Sequence, residues 1–341
     1  MMKSRGVCLL LLAIGISAIP AYSQGPDKIP VIRWGPRNVE WGFFDASVKP
    51  ILTIKSGDAV SIETPLAGSK EMEAMGLPQD LIRQEMRELE AGVTDRGAGA
   101  NILVGPVYIE GAEPGDVLEV RILDVTLADN YAVNVFHPNG GTLPSQFPYF
   151  HAKAIPLDKE KNVAKPGSGI EIPLHPFFGT MGVAPAVAIG RINDGPPGYY
   201  AGNLDNKHLV AGTILYIPVQ VKGALFSVGD GHAGQGDGEV DGTAIEAALW
   251  GKFQFNVRKD MKLLWPRAET PNEIMTMGFD PDLNRAAEMA IREMVGYLIS
   301  ERHMTPEDAY MLCSMAVDLQ ITQNVDGVKG VHALLSKKIF R

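Results

Sequence analysis

Apolar and polar positions alternate with a period of two in several stretches of this chain and follow a helical period in only three. Ile51–Lys55 and Ala59–Thr64 flank Ser56-Gly57-Asp58, a pattern that predicts a β-hairpin. Val104–Ile109 and Val117–Leu127 read as further strands, joined through Gly111–Asp116. In the second, Leu118, Val120 and Ile122 share one parity while Val125 and Leu127 take the other, so a β-bulge near Leu123 is expected. Thr213–Val221 and Ala224–Val228 are β-like. Phe253, Phe255 and Val257 alternate with Gln254, Asn256 and Arg258, as a half-buried strand would. Residues 129–210 hold few long periodic segments, which predicts short strands under long loops.

Helical spacing predicts a helix over Pro78–Glu90, with Leu81, Ile82, Met86 and Leu89 on one face and Gly92 ending it. A second is expected over Asp282–Arg302 through Leu283, Ala287, Ala290, Met294 and Leu298. A third starts at Thr305, where Thr305-Pro306-Glu307-Asp308 supplies an N-cap, a proline at the first helical position and an acid at the third. It runs to about Val317, and Asp318–Gln323 then reads as a strand. The predicted fold class is mainly β, sandwich- or barrel-like, with α+β elements and helices concentrated near the C-terminus. The chain is β-rich to about residue 260.

Composition narrows this picture. With 37 glycines and 24 prolines among 341 residues, turns and short strands are favoured over a helical bundle. A net charge of −9 without a basic run excludes a nucleic-acid binder, because phosphate contacts need clustered Lys and Arg. Residues 1–23 read as a secretory signal peptide. Lys3 and Arg5 form its charged start, Val7–Ile19 its apolar stretch, and Ala21-Tyr22-Ser23 a cleavage site before Gln24. That stretch is shorter than the roughly 20 residues a membrane-spanning helix needs. The expected product is exported, periplasmic or secreted, covers 24–341 and has no membrane partner. Cleavage would leave Cys313 as its one cysteine, so no intrachain disulfide is expected. Cys313 lies among Leu312, Met315 and Val317 and reads as a buried structural thiol.

Polar side chains are densest from Gly229 to Glu246, where Asp230, His232, Asp237, Glu239, Asp241 and Glu246 are interleaved with glycines. Oxygen ligands plus one imidazole suit a divalent metal, and Asp230 and His232 at i, i+2 can share one face of an extended segment. Two formal motif matches fail here. Gly229-x-Gly231-x-x-Gly234 has the dinucleotide spacing, but no helix pattern follows and the acids would repel a pyrophosphate. The calcium-loop reading fails because His232 and Gly234 stand where an EF-hand needs oxygen side chains. No G-x-S-x-G motif is present. His232 is thus the leading metal ligand, with Asp230 as a second ligand or as the acceptor that fixes the imidazole tautomer. Glu239 and Glu246 compete for the role of general base. Gln235 is a candidate hydrogen-bond donor to the substrate, and Asp237 and Asp241 read as turn acids. His175 could line a pocket, and His208 beside Lys207 reads as exposed.

Gly223–Glu239 resembles the acetamidase/formamidase family. So do Ala201-Gly202-Asn203-Leu204-Asp205, Gly105-Pro106-Val107 with Gly111–Asp116, and Pro176–Pro185. The resemblance covers most of residues 45–325. It implies a β-rich oligomer that hydrolyses short amides to carboxylate and ammonia with a divalent metal, zinc or else calcium. It brings in Asp205 as a third ligand from a separate segment, and Asn203 as a residue that orients the substrate amide or simply turns the chain. The departures are Gly231, where many members have Val or Ile, and Ala201, where many have Gly. The expected substrate is a small neutral amide; a cyclic amide or ureido group is an alternative. The rival reading is a non-catalytic exported binding protein with a structural calcium site.

Overall fold

The computed structural model describes residues 29–340, so the expected signal peptide, its cleavage site and Cys8 lie outside the described residues. The chain builds a mainly β structure around two large sheets. Nine strands, in the order 31–32, 59–64, 249–258, 117–127, 214–218, 267–269, 273–280, 329–336 and 317–323, make the larger. The smaller takes the order 201–203, 177–183, 226–232, 102–110 and 39–41, with 52–55 also paired to 102–110. Phe178 and Phe226 of the smaller sheet meet Phe253 of the larger at ring-centroid distances of 5.4 and 5.9 Å. This aromatic layer is buried, and it locks the two inner faces together. Four antiparallel strands, 131–136, 151–158, 163–167 and 170–173, form a further sheet beside them.

The alternation in Val117–Leu127 behaves as expected. Lys252 pairs with Asp124 and Phe253 with Ile122, which leaves Leu123 as the extra residue of a bulge, exposed to solvent. The expected hairpin forms both of its strands and its turn, but the strands do not pair with each other. Leu52–Lys55 runs parallel to Val107–Glu110 in the smaller sheet, and Ala59–Thr64 runs antiparallel to Leu249–Gln254 in the larger. The turn is therefore a crossing between sheets. The helix expected over 78–90 is confined to Gln84–Gly92, because Pro78–Ile82 closes local turns instead and the Leu81 carbonyl accepts a hydrogen bond from the Tyr131 hydroxyl. A short helix, Ser69–Ala74, precedes it.

The C-terminal helices occupy Leu283–Arg302 and Pro306–Ala316. The Asp282 side chain accepts from the backbone N–H groups of Asn284 and Arg285, and Thr305 from that of Asp308. The first helix packs on strands 273–280 and 329–336, and Ala286, Ala290, Met294 and Leu298 fill a second core there with Cys313. A methyl on Gly278 would stand 2.0 Å from the Ala286 carbonyl oxygen, so glycine permits this close helix–strand approach.

Candidate active site

Strand 226–232 is longer than its apolar pattern suggested and carries Asp230 and His232 as strand residues between 177–183 and 102–110. His232 is 1% exposed. Its Nδ1 donates to Gln235 Oε1 at 2.9 Å, while Gln235 Nε2 donates to the Asp205 carbonyl oxygen at 2.8 Å. That arrangement turns Nε2 toward the carboxylates. Nε2 lies 3.4 Å from Asp230 Oδ1, 3.3 Å from Glu246 Oε2 and 4.0 Å from Asp205 Oδ1.

Each carboxylate arrives by a different route. Asp205 follows strand 201–203; its N–H and that of Leu204 both donate to the Gly179 carbonyl oxygen, which anchors the segment against strand 177–183. Glu246 exchanges backbone hydrogen bonds with Val133, and its Oε1 accepts from the Ala244 N–H at 2.6 Å. Glu239 is buried in the turn after Gly238, whose N–H donates to the Thr322 carbonyl. The floor is open only because residue 179 has no side chain. A methyl there would lie 2.4 Å from Asp230 Oδ2, 2.5 Å from Asp205 Oδ1 and 2.9 Å from His232 Cε1.

The two amides expected to meet the substrate are engaged within the protein. Gln235 bridges His232 and the Asp205 backbone. Asn203 donates to Asp205 Oδ2 at 2.6 Å and Asp326 Oδ2 at 3.2 Å, and its Oδ1 accepts from Asn101 Nδ2 at 3.0 Å and from the Thr180 hydroxyl. Asp326 had no signal in the sequence: it sits in an ordinary Asn-Val-Asp-Gly turn, 80 residues beyond the end of the acidic segment at Glu246. His137 lines the cavity, whereas His175 lines a neighbouring groove. His208 is half-buried rather than exposed, because its ring packs on the buried His332. Asp237 pairs with Lys207, and Asp241 accepts from the Thr243 N–H.

Burial dominates the electrostatics. It pushes Asp205 well above the ordinary carboxyl range, and Glu239, Asp326 and Asp230 add repulsion. Burial likewise raises Glu246 and Glu239 against the pull of His232, and brings Asp326 to about 6. For Asp230, burial is outweighed by His232 and the Thr180 hydroxyl, and the carboxyl is lowered. For His232, burial is outweighed by Glu246 and Asp230, and the imidazole is raised.

A divalent cation fits this donor set. Asp205 Oδ1 is buried with no hydrogen-bond partner, which is costly unless something cationic meets it. Donor atoms of Asp205, His232 and Glu239, and of Asp230, His232 and Glu246, lie within 4.8 Å of one another. Above them is a cavity of about 220 Å³, walled by Leu66, Met75, Val133 and Val135 and floored by the carboxylates.

A β-sandwich with one imidazole and several convergent carboxylates at the foot of a small cavity defines the class: a mainly β protein with a buried imidazole–carboxylate centre that could hold a cation. The particular family is that described as the acetamidase/formamidase family, whose model matches residues 42–195 and 191–341; the chain belongs to it. It is 31% identical to the acetamidase of Bacillus halodurans, with a TM-score of 0.77 over 90% of this chain and 98% of that one. With the acetamidase of Yersinia enterocolitica the identity is 27% and the TM-score 0.78, covering 92% and 94%. A formamidase of Methylophilus methylotrophus is 27% identical over 252 residues, 55% of this chain and 62% of that protein, so the match spans less than two thirds of its length.

Proposed function

We propose that this protein hydrolyses the C–N bond of a short neutral amide, of the formamide or acetamide type, to carboxylate and ammonia. The observation that carries the reading is the Nε2 of His232 facing three carboxylates, with Asp205 Oδ1, one of them, lacking a hydrogen-bond partner. Asp205, Asp230 and His232 would hold a divalent ion, and the imidazole favours zinc over calcium. When bound, such an ion polarises a carbonyl and makes water more acidic.

The chain's own residues would do the rest. Glu246, pinned through Oε1 by the Ala244 N–H, presents Oε2 to the cavity; it would take the water proton and deliver it to the leaving nitrogen. Glu239, the second buried carboxyl on the cavity wall, would hydrogen-bond the substrate. Gln235 and Asn203 would hold His232 and Asp205 in place. Among the described residues the cavity lining includes six carboxylates and neither Lys nor Arg, so an anionic substrate would be repelled and a neutral one admitted. The rival binding-protein reading needs an all-oxygen calcium shell, and a buried imidazole at the centre disfavours it.

The deciding experiment measures ammonia release from formamide, acetamide and cyclic amides. Activity should disappear with a strong chelator and return with zinc. A metal-replete, folded sample inert on the whole panel would overturn the reading. We further propose export after cleavage before Gln24 and assembly into homo-oligomers. N-terminal sequencing of exported material and light scattering of the purified protein test these two points.

A further inference from the structure

We propose that His208, His332 and Asp237 form a second divalent-cation site, with the side-chain oxygen of Gln320 as its fourth donor. Among the described residues no hydrogen bond or ion pair joins these side chains to the imidazole or carboxylates of the centre at His232, and the inference does not depend on amide chemistry.

The geometry points to it in three ways. First, two imidazoles from separate segments converge on one oxygen. His208 Nε2 lies 3.3 Å and His332 Nε2 3.1 Å from Gln320 Oε1, with ring centroids 5.0 Å apart. Neighbouring donors in a tetrahedral shell with bonds of about 2.0–2.1 Å stand roughly 3.3 Å apart, so these separations suit ligands as well as hydrogen bonds. Second, the other ring nitrogen of His332 is held. Its Nδ1 lies 2.7 Å from the buried Thr322 hydroxyl, the kind of partner that orients a metal-bound histidine. Third, donor atoms of His208, His332 and Asp237 all lie within 4.8 Å of one another.

Two imidazoles with two oxygens favour a borderline cation such as zinc over calcium or magnesium. One group opposes it: Lys207 Nζ sits 2.7 Å from Asp237 Oδ2 and must give way. Lys207 therefore acts as a built-in competitor that weakens the site. Occupancy would fasten the segment 205–208, the turn 235–239 and strands 317–323 and 329–336 to one another. The first two of these carry Asp205, Gln235 and Glu239, and the turn between the two strands carries Asp326, so the second site would stiffen the first.

The test is a zinc titration of the metal-free full-length chain, with metal content measured after dialysis. Wild type should retain one equivalent more than His208→Ala, whatever the His232 centre holds. Lys207→Ala should tighten that equivalent by on the order of tenfold by removing a cation next to the ion. Equal stoichiometry in wild type and folded His208→Ala would overturn the proposal. If His208→Ala does not fold, anomalous scattering from zinc-soaked wild-type crystals decides: a peak between His208 and His332 supports the site, and its absence at saturating zinc refutes it.

Discussion

His232 and Gln235 are joined by a 2.9 Å hydrogen bond from the imidazole Nδ1 to the amide Oε1, and this contact dictates which ring nitrogen faces the carboxylates. The same amide reaches back to the Asp205 carbonyl, so one side chain sets both the imidazole and the loop that brings Asp205. Replacing Gln235 with Ala frees the ring to rotate or change tautomer. Zinc affinity should fall by roughly 10–100-fold, and Gln235→Glu, which keeps an acceptor for Nδ1–H, should restore part of it. Metal titration of the two variants measures the effect.

Glu246→Gln keeps the shape and the acceptor for the Ala244 N–H but cannot carry a proton. Turnover should fall by roughly 10²–10⁴-fold with the fold intact and metal content preserved. If turnover is unchanged, proton transfer belongs to Glu239, and the matching Glu239→Gln variant should then carry the loss.

Gly179→Ala fills the floor of the cavity. The added methyl stands within 2.9 Å of Asp230, Asp205 and His232 atoms, so these side chains must move apart. Overpacking of this kind costs about 1–3 kcal/mol, which lowers the melting temperature without unfolding the protein. Zinc binding should weaken by at least roughly tenfold, because the displaced atoms are the proposed ligands.

The buried charges also give a pH signature. The folded-state pKa values of His232, Asp205, Glu239 and Glu246 are raised, so the stability they contribute is present at low pH. It is lost as pH rises through their folded values. Asp230 is lowered and acts in the opposite sense, but only below the ordinary aspartate range. Metal-free protein should therefore lose stability between mildly acidic and alkaline pH. A bound divalent charge compensates the ionised carboxylates, so the rise in melting temperature on adding zinc should be larger at pH 8 than at pH 5. Equal gains at both pH values would remove the carboxylate cluster as the binding site.

Local patterns in the sequence were enough for much of the framework. The capped helices after Asp282 and Thr305, the half-buried alternation of Phe253–Val257 and the bulge at Leu123 all follow from neighbours within a few residues, and all are present. Glycine and acid density marked Gly229–Glu246 as the place of chemistry, because little else explains so many polar groups beside strongly apolar strands. Pairing was a different matter. Ser56-Gly57-Asp58 reads as a hairpin turn, yet Leu52–Lys55 and Ala59–Thr64 find partners about 50 and 190 residues away, since the local turn reverses the chain without choosing its neighbour. The same reason hid Asp326 and the meeting of His208 with His332: each lies in an unremarkable segment and gains meaning only from residues that distant strands bring against it. Tertiary structure also supplied Asn203 and Gln235 with hydrogen-bond partners inside the protein, because such partners, unlike residue types, are fixed only by three-dimensional packing.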